Sequence, residues 1–233
     1  MRIAAVADID FGGSMELFSK ELQKAKEPDL LLLAGDMCDF GQYGQYKEIL
    51  AKIRKAGWKC PIYACFGNKE FEQDHAKLKK RYPEIIFLDD EKSEFTAAGT
   101  KVGIVGSKGC LDAPTFWQSR NVIGIRDEYS RRLALLEKLM KSLKGEVKIL
   151  LTHYAPTYRT LEGEDARIWK VLGTSKLEEP MEEAGITLAV HGHAHYGSPL
   201  GFVGRIPVFN VALPVNRKIV VVDTDRLPKP AKG

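Results

Sequence analysis

The sequence predicts an α/β fold whose strands divide between two packed sheets. Short apolar runs alternate with amphipathic segments from the first residues onward, close-spaced strands follow, and a second series of buried strands comes after a long helix. The chain has 233 residues, 44% hydrophobic, 28% charged and 9% aromatic, which excludes a collagen-like, disordered or small disulfide-stapled protein. One domain is expected over residues 1–227, with a disordered tail over 228–233.

Residues 3–7 read as a buried strand. Ser14 is placed to cap a helix running to residue 26, with Leu17, Phe18, Leu22 and Ala25 on one face. Pro28 and Asp29 end it, and residues 30–34 form the second strand. Residues 43–56 repeat the helical pattern through Tyr46, Ile49, Leu50 and Ile53; 62–65 is a third strand, and 71–81 a helix closed by Pro83. This succession predicts a parallel sheet with right-handed crossovers. Strands at 85–88, 93–97 and 101–105 come next, the last two joined by a tight turn at Gly99. A Gly-, Pro- and Ser-rich loop over 107–124 leads to a helix at 127–143 with Leu133, Leu136, Leu139, Met140 and Leu143 on its apolar face. A strand at 147–152, a short helix at 177–184 and strands at 187–190, 207–211 and 218–223 complete the reading.

Several function classes fall away. The longest apolar runs, 30–34 and 186–190, are far short of the ~18–20 residues that cross a bilayer, so no membrane partner is expected. Asp8 interrupts the N-terminus before any signal core, so no secretory leader is expected. Cys38, Cys60, Cys65 and Cys110 show no C-x-x-C spacing and read as reduced thiols in a cytoplasmic protein. The net charge of +4 is too mild for a nucleic-acid partner, and Lys77, Lys79, Lys80 and Arg81 read as a solvated helix face. Neither a phosphate-binding Walker loop nor a dinucleotide fingerprint is present.

Ligand sites in open α/β sheets gather beyond the carboxyl ends of the strands. The first strand is followed by Asp8-Ile9-Asp10, the second by Gly35-Asp36-Met37-Cys38-Asp39 and the third by Gly67-Asn68-Lys69-Glu70. The strand after the long helix gives Thr152-His153-Tyr154, and the next gives His191-Gly192-His193-Ala194-His195. Any one of these alone is ordinary turn or structural chemistry. In an extended segment His193 and His195 point to the same side and can reach one locus. Together the five strand ends predict a metal centre. Three carboxylates, one carboxamide oxygen and three imidazoles exceed a single tetrahedral set, so two ions roughly 3.5–4 Å apart are expected, one carboxylate bridging them.

The ordered blocks resemble the calcineurin-like metallophosphoesterase superfamily, whose signature is Asp-x-His, Gly-Asp-x-x-Asp, Gly-Asn-His-Asp/Glu, a lone His, then Gly-His-x-His. The resemblance runs from Asp8 to His195 and implies a four-layer αββα sandwich of two mixed sheets flanked by helices. It also implies a metal-dependent phosphoesterase in which a bridging hydroxide attacks phosphorus directly. Asp8 and His195 would bind the first ion, Asp36 would bridge, and Asn68, His153 and His193 would bind the second.

Two blocks depart from the pattern. Asp10 stands where a histidine is expected; if it binds directly, the first site becomes Asp8, Asp10, Asp36 and His195, an oxygen-rich set suited to Mn²⁺, Mg²⁺ or Fe²⁺, with Zn²⁺ and Ni²⁺ also compatible. Mn²⁺ is the expected ion. Lys69 stands where family members carry the histidine that protonates the leaving group or contacts the phosphate, oriented by the residue equivalent to Asp39. A free lysine is a poor acid near neutrality, so Lys69 is expected chiefly to offset phosphate charge.

Arg120 and Tyr158, with Phe116, Trp117 and Arg159, are candidate substrate contacts. Cys38 reads as buried filler, His191 as a supporting residue and His75 as a surface residue. The expected substrate is a small phosphate ester. Two other functions compete: a non-catalytic scaffold of the same fold that binds a protein partner, and a haloacid-dehalogenase-type phosphatase using Asp8 as nucleophile. The second leaves His153, His193 and His195 without a role.

Overall fold

The structure is a computed structural model and describes residues 1–9 and 14–230. Strands β1 (Arg2–Val6), β2 (Leu30–Ala34), β3 (Ile62–Cys65) and β4 (Ile85–Phe87) run parallel, connected through helices α1 (Ser14–Lys24), α2 (Gln45–Lys55) and α3 (His75–Arg81). A second sheet contains β5 (Glu91–Ala97), β6 (Thr100–Ser107), β7 (Val147–Thr152), β8 (Leu188–His191), β9 (Leu200–Val203) and β10 (Ile206–Asn210), in the order β5-β6-β7-β8-β10-β9. The chain then returns through β11 (Val220–Asp223), which pairs antiparallel with β1 and completes the first sheet as β11-β1-β2-β3-β4. Helices α4 (Phe116–Asn121), α5 (Ile125–Lys141), α6 (Glu178–Glu183) and α7 (Leu213–Asn216) make up the rest.

Strand alternation produces the layers. Leu31 and Leu33 point outward onto Phe18, Leu22, Ile49 and Ile53 of α1 and α2. Leu30 and Leu32 point the other way, into an inter-sheet core with Ile3, Ala5, Ile104, Ile149, Leu151 and Val190. Leu150 and Ala189 leave that core on the far side and meet Leu136, Met140 and Met181 of α5 and α6. Each central strand is therefore apolar on both faces, which is why its sequence reads as a continuous run. Each buried Leu or Ile contributes about 1.5–3 kcal/mol. The expected αββα sandwich is what forms.

The structure corrects the reading in several places. The loop over 107–124 contains α4, opened by a capping box in which Thr115 Oγ1 accepts from Gln118 N–H and the Gln118 side chain accepts from Thr115 N–H. Strand β9 adds to β10 as an antiparallel hairpin. The first helix stops at Lys24. His75 is buried: it shares the inner face of α3 with Leu78, stacks on Phe66 with ring centroids 3.7 Å apart, and its Nδ1 lies 2.7 Å from Asp89 Oδ2. The lysines around it occupy the opposite face, and a one-turn shift of viewpoint conceals a buried imidazole among them.

All four cysteines are free thiols. Burial pushes the Cys60 thiol up to about 11 and that of Cys110 up to about 12, so neither is a thiolate at neutral pH. Among the described residues, no helix is long and apolar enough to cross a membrane. The expected tail falls partly within the described residues, where 228–230 carry no regular structure; residues 231–233 lie outside them.

Candidate metal centre

The parallel strands of both sheets end at one edge, and the polar residues that follow them converge there. Asp8 follows β1 after Ala7, whose backbone bridges to Ala212. Asp36 follows β2 after Gly35, Asn68 follows β3, His153 follows β7, and His193 and His195 follow β8. Asp8, Asp36 and His193 all have left-handed backbone, with φ of 59°, 48° and 68°. Such residues are uncommon outside glycine and cost energy unless the surroundings enforce them, so the strand ends are bent specifically to turn these side chains inward.

The carboxylate of Asp8 is fully buried; Oδ2 accepts from His193 N–H at 3.0 Å, and Oδ1 lies 3.1 Å from His195 Nε2. Asp36 Oδ1 accepts from Lys69 N–H at 2.9 Å and lies 3.5 Å from His153 Nε2. His153 Nε2 is also 3.1 Å from Asn68 Oδ1, while its Nδ1 lies 2.9 Å from the Ala34 carbonyl. The carbonyl can only accept, so it assigns the ring proton to Nδ1. Nε2 then presents its lone pair toward the Asn68 carboxamide and the Asp36 carboxyl group. The His193 ring lies 5.0 Å from that of His153 and 4.8 Å from that of Tyr154.

Donor atoms of Asp8, Asp36 and His153 lie within 4.8 Å of one another. Burial, reinforced by the carboxylates of Glu70 and Asp8, raises the Asp36 pKa well above its ordinary value. Burial lowers the pKa of His153 and of His193 to about 3, so both rings are neutral and can donate lone pairs at physiological pH. Two buried carboxyl groups crowded against neutral imidazole nitrogens form an environment that a divalent cation would relieve. The residues present fit a metal.

Glu70 is the residue the sequence reading missed. Its buried carboxylate accepts from Asp36 N–H at 3.1 Å, Met37 N–H at 2.9 Å, Gly67 N–H at 2.8 Å and Tyr46 O–H at 2.9 Å. It ties the loop after β2 to the loop after β3, and so sets Asp36 against Asn68. The signal was its position two residues beyond Asn68. Two glycines permit the close approach: a Cβ at Gly67 would collide with the Asp36 carboxylate, and one at Gly192 would meet Asp8 Oδ2 at 2.6 Å.

The other expected site residues are placed differently. Asp10 lies outside the described residues. Lys69 and Asp39 do not form an ion pair with each other. The Lys69 ammonium lies over the Phe40 ring, 5.2 Å from its centroid, while Asp39 Oδ1 accepts from Phe40 N–H at 2.9 Å. Burial lowers the Lys69 pKa, against the raising influence of Asp8 and Glu70. The guanidinium of Arg120 stacks on Phe116, and Tyr158 O–H donates to Asp112 at 2.5 Å; neither lines the cleft that opens beside Asn68 and His193. Trp117 does line it. His191 is buried among Thr160 Oγ1, 2.8 Å away, and the Gly192 carbonyl, as a supporting residue. Cys38 is fully buried, with its sulfur 3.6 Å from Glu70.

The calcineurin-like phosphoesterase family model matches residues 1–197. The chain belongs to that family. No curated protein matches the sequence significantly. Among solved structures, the chain is similar to a phosphopantetheinyl hydrolase of Mycobacterium tuberculosis, with a TM-score of 0.68 and 15% identity over 97% of this chain and 98% of the other. A Thermus thermophilus protein superposes with a TM-score of 0.59 and 16% identity over 96% and 98% of the two chains. A purple acid phosphatase from yellow lupin seeds superposes with a TM-score of 0.53 and 14% identity, covering 84% of this chain and 38% of its own. At these identities the likeness is one of fold.

Proposed function

We propose that this protein hydrolyses a phosphate ester, mono- or diester, at a centre of two divalent ions held by Asp8, Asp36, Asn68, His153, His193 and His195, with Asp10 completing the first site. The convergence of Asp8, Asp36, Asn68 Oδ1 and His153 Nε2 at one set of strand ends carries this reading, in a chain of the phosphoesterase family. When bound, such ions neutralise phosphate charge and bring the pKa of coordinated water toward neutrality. Mn²⁺ is favoured because the donor set is rich in oxygen.

The chain's own residues supply the rest. Asp36 would be the shared ligand; it is held by the Lys69 N–H and, through its backbone, by Glu70. The Ala34 carbonyl orients the His153 ring. Lys69 offsets charge on the phosphate and on the leaving oxygen; an imidazole acid is replaced here by an ammonium, so esters with good leaving groups turn over fastest. Metal analysis of the purified protein, with assays on p-nitrophenyl phosphate and its bis-ester under added Mn²⁺, tests the proposal. Bound metal and hydrolysis above background support it. A metal-free protein that binds no Mn²⁺ and cleaves neither ester overturns it in favour of a non-catalytic scaffold.

A further inference from the structure

Beside the metal centre lies a cleft of about 610 Å³, within the range of small-molecule sites. Asn68 and His193 line it, so it is continuous with the centre, and much of its remaining surface is aromatic: Phe40, Phe71, Trp117, Tyr129 and Tyr154. Three of these rings stand open to solvent, Phe40 at 60%, Phe71 at 38% and Trp117 at 65% exposure, and Phe40 stacks against Phe71 with centroids 6.3 Å apart. Large exposed aromatics at the mouth of a polar site are costly unless they are covered when the site is occupied.

The cations in this wall are already answered. Lys108 Nζ donates to Glu72 at 3.1 Å, and Arg132 donates to Asp90 at 2.8 Å and contacts Glu128 at 2.9 Å and Glu72 at 3.6 Å. Against Lys108 and Arg132 the lining sets the carboxylates of Glu70, Glu72 and Glu128. Among the described residues of the wall away from the metal centre, Lys108 and Arg132 are thus matched by carboxylates. The remaining cation, Lys69 over Phe40, is the one assigned to the reacting phosphate, so a second anionic group would enter at a loss.

We infer that this cleft receives the organic group of the ester and selects one that is uncharged, aromatic and larger than a single ring, excluding nucleoside polyphosphates and other polyanions. The inference rests on the phosphoesterase reading for its reactive end, and on the Phe40–Trp117 cleft for its selectivity. Trp117 acts by stacking on the group's face; the neutralised Lys108 and Arg132 set the charge preference.

Phenyl, 2-naphthyl and 6-sulfonato-2-naphthyl phosphate, assayed with Mn²⁺, separate size from charge. The expected kcat/KM for 2-naphthyl exceeds that for phenyl phosphate by about tenfold or more, and the sulfonate cancels that gain although it makes the leaving group slightly better. In Trp117→Ala, which removes little packing because the ring is 65% exposed, the naphthyl-to-phenyl ratio falls to within about threefold of unity. Calorimetric binding of the non-cleaved 2-naphthylmethylphosphonate and benzylphosphonate gives the same ratio independently of turnover. Equal kcat/KM and equal affinity for one and two rings, or a ratio unmoved by Trp117→Ala, overturn the inference. Selective phosphonate binding with no ester cleaved would overturn the hydrolase reading and leave the cleft's preference standing.

Discussion

Glu70 holds Asp36 by its backbone rather than its side chain: Glu70 Oε2 accepts from Asp36 N–H at 3.1 Å across 34 residues of sequence, while Asp36 Oδ1 accepts from the Lys69 N–H at 2.9 Å. The two residues thus lock each other's loops, and the left-handed φ of 48° at Asp36 is maintained by that reciprocal grip. A buried carboxylate that accepts three backbone N–H bonds, the Tyr46 O–H and the Cys38 S–H pins two strand ends of the centre at once.

Glu70→Gln is expected to destabilise the protein by about 2–3 kcal/mol, because one amide N–H is turned toward a backbone or phenol donor. Tyr46→Phe removes only one of the bonds and is expected to cost about 1 kcal/mol. Urea denaturation measures both, and Glu70→Gln should also weaken Mn²⁺ binding while Tyr46→Phe should not. Equal effects of the two substitutions on stability would show that Glu70 is not the anchor.

Asp36→Asn separates stability from metal binding. With a folded pKa raised above its ordinary value of 3.8, Asp36 retains a proton in the folded chain that the unfolded chain has released. Its contribution to metal-free stability is therefore present at low pH and is lost as pH rises through 3.8 toward the raised value. The metal-free Asn variant should be at least as stable as the parent at pH 7, yet show hydrolysis reduced by about a hundredfold or more, on the order of 3 kcal/mol. Thermal denaturation in chelator beside a Mn²⁺ assay tests both halves; parental activity in the variant would remove Asp36 from the centre.

Lys69→Ala is expected to lower kcat by at least about tenfold, on the order of 1.4 kcal/mol, with the larger loss on esters of poor leaving groups. A rate independent of residue 69 across leaving groups of different acidity would make the ammonium over Phe40 a bystander.

His191 gives the fold an acid sensitivity of its own. Burial lowers its pKa from 6.5 to about 4, so the unfolded chain takes up a proton that the folded chain refuses. The stability it contributes is fully present above 6.5 and is lost as pH falls from 6.5 toward 4, which amounts to about 2 kcal/mol between pH 7 and pH 5. Unfolding free energies from urea denaturation at the two pH values should differ by that much less in His191→Gln than in the parent. An unchanged difference would mean that the ring titrates in the folded state.

Much of the centre was legible because chain order and strand ends are local properties. Asp8, Asp36, Asn68, His153, His193 and His195 each follow an apolar run, and parallel strands must present those ends on one edge. His75 was not legible, because a lysine-rich helix conceals which face is turned inward until Phe66 and Asp89 are in place. The helix over 116–121 was readable from Thr115 and Gln118 but was masked by the loop composition around it.

By itself the sequence determined the α/β architecture, the strand ends and the residue types able to ligate a metal, since periodicity and turn chemistry are written residue by residue. The tertiary structure alone decided that Glu70 anchors two of the loops, that Lys69 lies over Phe40 instead of pairing with Asp39, and that Trp117 rather than Arg120 or Tyr158 lines the cleft. These depend on hydrogen bonds and packing between segments distant in sequence, and a side chain's partner there is fixed by the direction in which the folded backbone points it.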